Sequence, residues 1–231
     1  MKKELDFVKD MFDKIAPRYD FLNRLLSLRQ DIFWRTQMVK AAGLAPDSRI
    51  LDVACGTCDV ALEAFSRLRG RASVVGVDFS LGMLHLGKTK ISGTKGIALV
   101  NGDALNLSFR PDTFDAVFIA FGIRNIMDRK GAVEEFYKVL KPGGRLAVLE
   151  LSTPEKGILR RIYLAYFRKI LPMIGSLFSK DDHAYSYLPE SVLKFPSAVD
   201  FSKTIKAAGF RDIRFRPMSL GIVTLFVGIR Q

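Results

Sequence analysis

The stretch Leu51-Asp-Val-Ala-Cys-Gly-Thr-Cys-Asp59 decides how this 231-residue chain folds. An apolar run over residues 49–54 predicts a buried strand, and a helical pattern follows the Gly-containing turn as far as residue 68. In open α/β sheets, ligands bind outside the carboxyl ends of the strands, close to such a turn. Small residues at the turn allow a ligand to approach the backbone. A tight strand-to-helix connection without any ligand is the alternative that this stretch alone leaves open.

The same alternation of apolar runs and helical stretches continues downstream. Further strands are predicted at residues 72–78, 97–100, 114–120 and 145–151. Near-continuous apolar strands separated by helices indicate a parallel sheet that is covered on both faces. Two last strands, at 212–216 and 222–229, are joined by a short turn, so they predict an antiparallel hairpin at the edge of the sheet.

Helices are predicted at both ends of the chain. Apolar side chains recur at helical spacing from residue 7 to residue 15, and Pro17 is expected to end this first helix. A second helix is expected over residues 19–42, ending before Gly43. Another is expected from about residue 192 to residue 208.

The composition is that of an ordinary globular protein, except for its charge. Apolar residues make up 48% and charged residues 26%, but 36 Lys and Arg face 24 Asp and Glu, which gives a net charge of +12. Such an excess suggests an anionic partner, which could be nucleic acid, an anionic membrane surface or an acidic small molecule.

The two cysteines, Cys55 and Cys58, do not form a convincing metal site. They are the only cysteines, and the chain has only two histidines, so we expect no zinc and no disulfide scaffold. A redox dithiol, two structural thiols and ordinary loop residues remain as readings of the pair. Residues 1–13 show no secretory signal and no run reaches 18 apolar residues, so a cytoplasmic protein is the default expectation.

Three successive strand ends each supply an acid. Asp52 belongs to the first strand, Asp78 ends the second, and Asp103 follows the third. Asp78 is placed to accept the ribose hydroxyls of a nucleoside, and Asp103 could accept from an exocyclic amine of a base. Each acid alone is better explained as a solvated strand-end residue or a helix cap. Together they predict a nucleoside-containing ligand, although the sequence has neither the dinucleotide fingerprint nor a phosphate loop.

These segments resemble the class I S-adenosylmethionine-dependent methyltransferases, and within them the menaquinone/ubiquinone biosynthesis C-methyltransferases. The matching stretches span nearly the whole chain: Phe12-Asp-Lys-Ile-Ala-Pro-Arg-Tyr-Asp20, Leu51 to Asp59, Val77-Asp-Phe-Ser-Leu-Gly-Met-Leu84, Ile119-Ala-Phe-Gly-Ile-Arg-Asn125, Val139-Leu-Lys-Pro-Gly-Gly-Arg-Leu146, Tyr185-Ser-Tyr-Leu-Pro-Glu-Ser191 and Gly221-Ile-Val-Thr224. The fourth and sixth stretches are the most specific to the narrower family.

The resemblance implies one Rossmann-like α/β domain over residues 1–231. Its mostly parallel seven-stranded sheet would carry an antiparallel C-terminal hairpin, with residues 1–43 as an N-terminal helical cap and 155–200 as a helical substrate lid. The implied reaction is C-methylation of a prenylated quinol ring with S-adenosyl-L-methionine as the methyl donor, converting demethylmenaquinol to menaquinol. The alternatives are the benzoquinol of the ubiquinone pathway or another small molecule, and residues 163–180 resemble menaquinone-type members somewhat more.

The resemblance also assigns the cofactor-binding residues. The donor's methionine part would lie along Asp52, Gly56 and Thr57, its ribose on Asp78, its adenine on Asp103 and the backbone at Ala104, and its sulfonium near Ala120. The usual motif ends Gly-Thr-Gly, whereas this chain has Cys58 in the last position. If that position requires a positive φ, Cys58 is strained. We expect instead that it needs only a small residue, with somewhat weaker donor binding.

The candidate catalytic residues are Arg124, Asn125 and Tyr19. Loss of a quinol hydroxyl proton puts electron density on the neighbouring ring carbon, so a group that removes or shares that proton assists methylation. Arg stays protonated, so Arg124 would stabilise the developing oxyanion or order a water molecule that takes the proton. Asn125 would orient this network and Tyr19 would complete the lid. The alternative is that Arg124 and Asn125 only cap and tether their loop.

The basic excess is concentrated near the C-terminus. Between Lys156 and Lys180 there are six basic residues and no acid. On a helical wheel the basic side chains of residues 160–169 lie on one half and apolar or aromatic side chains on the other, which is typical of a helix at an anionic membrane surface. A core helix with a solvated polar face is the alternative.

Two other classes of function are alternatives to this one. Nucleic-acid methylation would suit the charge, but the sequence lacks the Asn/Asp-Pro-Pro-Tyr/Phe tetrapeptide and the Pro-Cys nucleophile, so we expect no nucleic-acid partner. A donor-binding module without turnover is the second. The sequence does not decide the oligomeric state, and a homodimer is among the states that it allows.

Overall fold

The computed structural model describes residues 2–154, 157–166 and 183–231, with side chains from residue 7 onward except those of 159, 162 and 183–186. Its centre is a seven-stranded sheet in the order β3-β2-β1-β4-β5-β7-β6. The strands are β1 Arg49–Val53, β2 Ser73–Asp78, β3 Ile97–Asn101, β4 Phe114–Ala120, β5 Leu140–Leu151, β6 Arg211–Met218 and β7 Val223–Ile229.

Strands β1 to β5 run parallel, and β7 pairs antiparallel with both β5 and β6. The mostly parallel sheet and its antiparallel C-terminal pair are therefore confirmed. Strand order reverses beside β1, whose neighbours are β2 and β4. Open α/β sheets bind ligands at such a reversal, outside the carboxyl ends of the strands.

Eight α-helices belong to the described ranges. They are α1 Lys2–Leu26, α2 Gln30–Ala41, α3 Asp59–Arg67, α4 Leu81–Lys90, α5 Arg129–Val139, α6 Ile158–Ala165, α7 His183–Lys194 and α8 Ala198–Ala207. Among these described segments, none combines the length and the apolar character that a membrane span requires.

The N-terminal helix does not end at Pro17, contrary to the prediction. Helix α1 continues through Pro17 to Leu26, and the break falls at Leu28 and Arg29, which both have positive φ angles of 50° and 62°. Proline costs an interior helix one hydrogen bond. Burial of Met11, Ala16 and Leu22 on both sides of Pro17 offsets that cost.

The prediction of a single helix over residues 192–208 was also wrong. Two helices meet there, α7 ending at Lys194 and α8 beginning at Ala198. Pro196 lacks an N–H and disfavours helical conformation in the residue before it. The side chain of Ser197 caps the new helix by accepting from the Asp200 N–H at 3.1 Å.

Both faces of the sheet are covered by apolar side chains. One layer joins α2, α3 and α4 to the sheet through residues such as Met38, Ala61 and Phe118. The other joins α5 and α8 to the opposite face through residues such as Phe136 and Phe201. The sheet is therefore fixed from both sides, and the loops at its carboxyl edge, together with α1 and α7, are left to form a site.

Candidate functional site

A cavity of about 590 Å³ opens at the carboxyl ends of β1, β2, β3 and β4. Eight of the ten residues predicted for the site line it: Tyr19, Gly56, Asp78, Asp103, Ala104, Ala120, Arg124 and Asn125. The sheet supplies the floor of the cavity, while α1 and α7 supply its walls. The fold thus brings together segments that lie more than 100 residues apart in sequence.

Asp78 holds the turn that follows β1. Its carboxylate accepts from the Gly56 N–H at 2.8 Å and from the Ser80 N–H at 2.9 Å. Burial raises the pKa of Asp78, and these two N–H donors oppose the rise. Each carboxylate oxygen has a second lone pair. Asp78 can therefore fix the loop and still accept a hydroxyl from a ligand in the cavity.

Gly56 has no side chain, so the space beside its backbone in the cavity stays open. Its φ is +52°, and a Cβ at this position would have only a ring carbon of Tyr19 near it, at 4.0 Å. Asp103 lies across the cavity at its exposed rim, where one oxygen accepts from the Leu105 N–H at 2.9 Å. An open glycine backbone, a buried acid and a rim acid around one cavity fit a nucleoside with hydroxyl and amine groups.

Asp52 and Thr57 do not line this main cavity. They border a small adjoining space of about 20 Å³, which they share with Tyr19, Gly56 and Ala120. The Asp52 carboxyl accepts from the Ala61 N–H at 3.1 Å, and burial raises the pKa of Asp52 to about 8. In this structure Asp52 supports the first turn of α3 from beneath.

Cys58 occupies a strained backbone position, contrary to the expectation that only a small side chain is needed. Its φ of 70° and ψ of 24° are left-handed, and it precedes the first residue of α3. That conformation suits glycine because it has no Cβ. The Cys58 side chain is fully buried, in space that the absence of a Cβ on Gly87 leaves open.

The thiol of Cys55 interacts with that of Cys58. The neighbouring Cys58 thiol and burial raise the pKa of Cys55. A raised pKa lowers the thiolate fraction, and the thiolate is the reactive form. The geometry therefore favours two packed structural thiols over a redox dithiol.

Helix α1 is fastened to the cavity by two acids that the sequence analysis did not single out. Asp13 accepts from Ser80 Oγ and, at 3.0 Å, from the Gly82 N–H at the start of α4. Asp20 accepts from Thr57 Oγ1 at 2.6 Å. Both belong to the quoted stretch Phe12 to Asp20, whose apolar members gave no sign of this role. These three hydrogen bonds hold α1 over the strand ends.

Arg124 is brought to the cavity wall but its charge is already paired. Its Nη1 donates to Glu150 Oε1 at 2.9 Å and also to the Phe121 carbonyl, and its backbone N–H donates to Glu150 Oε2 at 3.1 Å. Glu150 has no exposed surface. These contacts are the ones expected if Arg124 tethers its loop, which was the alternative to a catalytic role.

Asn125 is oriented by a tyrosine that the sequence analysis quoted without a role. Tyr187 on α7 donates its hydroxyl hydrogen to Asn125 Oδ1 at 3.1 Å, and its ring meets that of Phe7 edge-on at 6.1 Å. Because Oδ1 accepts this bond, the amide NH₂ of Asn125 is left as a donor. The motif containing Tyr187 was a usable signal, but its contact with residue 125 depends on the fold.

Comparison with known proteins shows the family of this chain. The model of the ubiE/COQ5 methyltransferase family matches residues 1–230. The chain is 47% identical to the ubiquinone/menaquinone biosynthesis C-methyltransferase UbiE of Geotalea daltonii, with 96% of this chain and 95% of that protein covered. It is 45% identical to the demethylmenaquinone methyltransferase of Thermus thermophilus, with 95% and 100% covered.

Solved structures share the fold at much lower identity. A SAM-dependent methyltransferase of Thermotoga maritima superposes with a TM-score of 0.65 at 20% identity, covering 96% of this chain and 99% of that one. A phosphoethanolamine methyltransferase of Haemonchus contortus, in complex with S-adenosylhomocysteine, superposes with a TM-score of 0.64 at 18% identity, covering 91% and 59%.

Proposed function

Because this chain belongs to the ubiE/COQ5 methyltransferase family, we propose that its cavity methylates a ring carbon of a prenylated quinol, and that the quinol is demethylmenaquinol. The enzyme is a C-methyltransferase of quinone biosynthesis that uses S-adenosylmethionine. The observation that carries the choice of acceptor is one cavity in which the strand-end acids face an apolar wall formed by α1.

The sheet side of the cavity would hold the methyl donor. The main binding groups are the Gly56 backbone, Asp78 for the ribose hydroxyls, and Asp103 with the Ala104 backbone for the adenine. Asp52 and Thr57 support the loop after β1, and the methionine part of the donor would lie along this loop. When bound, S-adenosylmethionine supplies a methyl group on a sulfonium sulfur, which is an activated electrophile.

The helix side would hold the quinol ring. Phe7, Val8 and Phe12 of α1 form one apolar wall, and Ile126 and Met127 form another. A fused bicyclic ring can be buried between such walls, and alignment of two reactants in one site supplies much of the rate enhancement of a transfer reaction. Helix α1 also keeps water away from the reacting atoms.

The polar residues of the cavity wall divide the catalytic work. Asn125, with its amide fixed by Tyr187, would donate to a ring oxygen of the quinol. Arg124, paired with Glu150, would hold the loop that carries Asn125 and order water beside it. Tyr19 lies against both Gly56 and the main cavity, where it would close the space between donor and acceptor.

Peripheral contact with an anionic membrane is part of the same proposal, because a polyprenyl quinol resides in lipid. Arg160 and Arg161 on α6 are exposed, as is Ile158. Residues 167–182, which include the rest of the predicted amphipathic stretch, lie outside the described residues. Leu26, the last residue of α1, packs in one cluster with Tyr163 of α6. Leu28, two residues further along the chain, is 80% exposed and adds an apolar side chain to the surface there.

Methyl transfer in vitro tests the proposed function. The purified enzyme is incubated with S-adenosylmethionine and either a short-chain demethylmenaquinol or the benzoquinol of the ubiquinone pathway, and the methylated product is measured by mass spectrometry. We expect turnover of the naphthoquinol at a higher kcat/KM. Turnover of the benzoquinol alone would overturn the choice of acceptor, and turnover of neither would overturn the proposed function.

A further inference from the structure

Arg129 is a cation in the cavity wall that forms no ion pair with any of the residues that the structure describes. It opens α5, where its Nη2 donates to the Arg124 carbonyl at 3.0 Å and its guanidinium lies over the ring of Phe195, 5.6 Å from the centroid. Within the described part of the chain, no carboxylate lies within ion-pair distance of Arg129. In that same part its Nε is buried without a hydrogen-bond partner.

The nearby acids are each engaged elsewhere. Glu150 pairs with Arg124, Glu190 with Lys194 at 2.7 Å, and Asp128 accepts from the Gly131 N–H as the cap of α5. A helix N-terminus carries partial positive charge, so the first residue of a helix is an unfavourable place for a cation. Burial lowers the pKa of Arg129, and the charge of Glu150 only partly opposes that fall. Helix stability therefore does not account for a positive charge at this position.

The position is explained by what lies beside it. Arg129 lines the cavity together with Asn125 and Tyr187. Burial raises the pKa of Tyr187, and the charges of Arg124 and Arg129 oppose that rise. The amide of Asn125, the hydroxyl of Tyr187 and the charge of Arg129 thus meet on one wall.

We propose that Arg129 is a catalytic residue that binds the quinol ring oxygen and stabilises its negative charge when the hydroxyl ionises. This inference rests on the proposed function. The hydroxyl proton passes to water, and the adjacent ring carbon forms a bond to the donor methyl while the electron pair of the S–C bond goes to sulfur. That carbon then loses its proton to water and the oxygen regains one, so one proton is released overall. Arg124 is not available for this task, because Glu150 neutralises it.

The test measures oxyanion binding without turnover. The probe is 4-nitro-1-naphthol, whose ionised form absorbs at longer wavelength, bound in the presence of S-adenosylhomocysteine and titrated with pH. We expect the bound probe to ionise at least about one pH unit lower in the wild type and in Arg129→Lys than in Arg129→Met. Lys130→Met removes a neighbouring exposed cation of the same helix and should titrate like the wild type.

Equal ionisation of the probe in Arg129→Met and the wild type would overturn the proposal. Loss of probe binding in Arg129→Met but not in Lys130→Met would support it. If Arg129→Met does not fold, Arg129→Gln, which keeps a donor for the Arg124 carbonyl, replaces it in the same titration. An unchanged affinity for S-adenosylhomocysteine shows that the donor side is intact.

The kinetics then separate this inference from the proposed function. We expect kcat for the short-chain demethylmenaquinol to fall about 100-fold in Arg129→Met, as when one oxyanion donor is removed. A wild type that methylates neither quinol contradicts the proposed function, whatever the probe shows. A wild type that is active, with an Arg129→Met variant of equal kcat, contradicts the role of Arg129 alone.

Discussion

At the scale of single residues, the acids at the strand ends could be located from the sequence, but their duties could not. Asp78 and Asp103 line the cavity as their positions suggested, whereas Asp52 lies behind it, in contact with the Ala61 N–H. The sequence shows that a strand carries an acid near its end. Which face of the loop that acid meets depends on how α3 packs, and no local pattern records it.

Cys58 shows the same limit. The position could be recognised as one where relatives carry glycine, but two physical reasons for glycine, a positive φ and small volume, leave the same mark in a sequence. The structure decides for positive φ. The missing Cβ at Gly87 then explains how a cysteine side chain is accommodated there.

The buried carboxyl of Asp52 should make stability depend on pH. Its folded pKa of about 8 lies above the ordinary value of 3.8, so between these values the folded protein holds a proton that the unfolded chain has released. Stability from this group is present at low pH and is lost as pH rises through that window. In Asp52→Asn the loss disappears. We expect the variant's stability relative to the wild type to increase by about 1.4 kcal/mol per pH unit between pH 5 and 7.

Urea unfolding at pH 5, 6 and 7 measures this difference. The exposed acid Asp212 offers a matched control, because Asp212→Asn makes the same chemical change away from the core. A stability difference between Asp52→Asn and the wild type that stays constant over this range would show that Asp52 is ionised in the folded protein.

Arg124 is expected to matter for folding as well as for turnover. Arg124→Ala leaves Glu150 buried without its cation, which typically costs about 3–5 kcal/mol of folding free energy. Adding Glu150→Gln removes the unpaired charge and should recover much of that loss. Thermal and urea unfolding of the single and double variants measure it. An Arg124→Ala variant as stable as the wild type would argue against the tethering role.

At the scale of elements, the alternation of strands and helices could be predicted well because it follows from apolar periodicity. Two errors, at Pro17 and at residues 195–197, concern proline. The third is the single helix predicted over residues 19–42, which the left-handed residues Leu28 and Arg29 interrupt. Helix α1 continues through one proline because packing on both sides outweighs one lost hydrogen bond, whereas Pro196 coincides with a serine cap and ends its helix. Tertiary packing decides between these outcomes, and it is not visible locally.

Helix α1 is expected to contribute to donor binding through the contacts of Asp13 with the start of α4, which we call the latch. Asp13→Ala removes the bonds to Ser80 and Gly82, which should loosen α1 over the cavity. We expect the Kd for S-adenosylhomocysteine to rise about tenfold, as suits the loss of hydrogen bonds to a charged group. Asp10→Ala, an exposed acid of the same helix, should bind like the wild type. Isothermal calorimetry makes the comparison, and equal affinities would exclude the latch.

At the scale of the whole molecule, the net charge of +12 does not require a polyanion. On α6, the exposed residues Arg160 and Arg161 follow the carboxyl end of β5, on the side of the sheet where the cavity opens. Charge on that side can serve the delivery of a lipid substrate.

Vesicle binding tests this placement of charge. We expect the enzyme to co-sediment with vesicles that contain anionic lipid at low ionic strength and to dissociate as salt rises. Arg160→Gln with Arg161→Gln should weaken binding by more than about tenfold, because each basic residue near an anionic surface contributes about 1 kcal/mol. Arg211→Gln with Arg214→Gln is the matched control, because these exposed residues lie away from α6. Arg211 is opposite Ile229 of β7, which is in turn opposite Arg145 in the amino-terminal half of β5. Equal weakening by both pairs of substitutions would mean that total charge, rather than one face of the molecule, governs vesicle binding. Unchanged binding of the α6 variant would show that α6 does not contact the membrane.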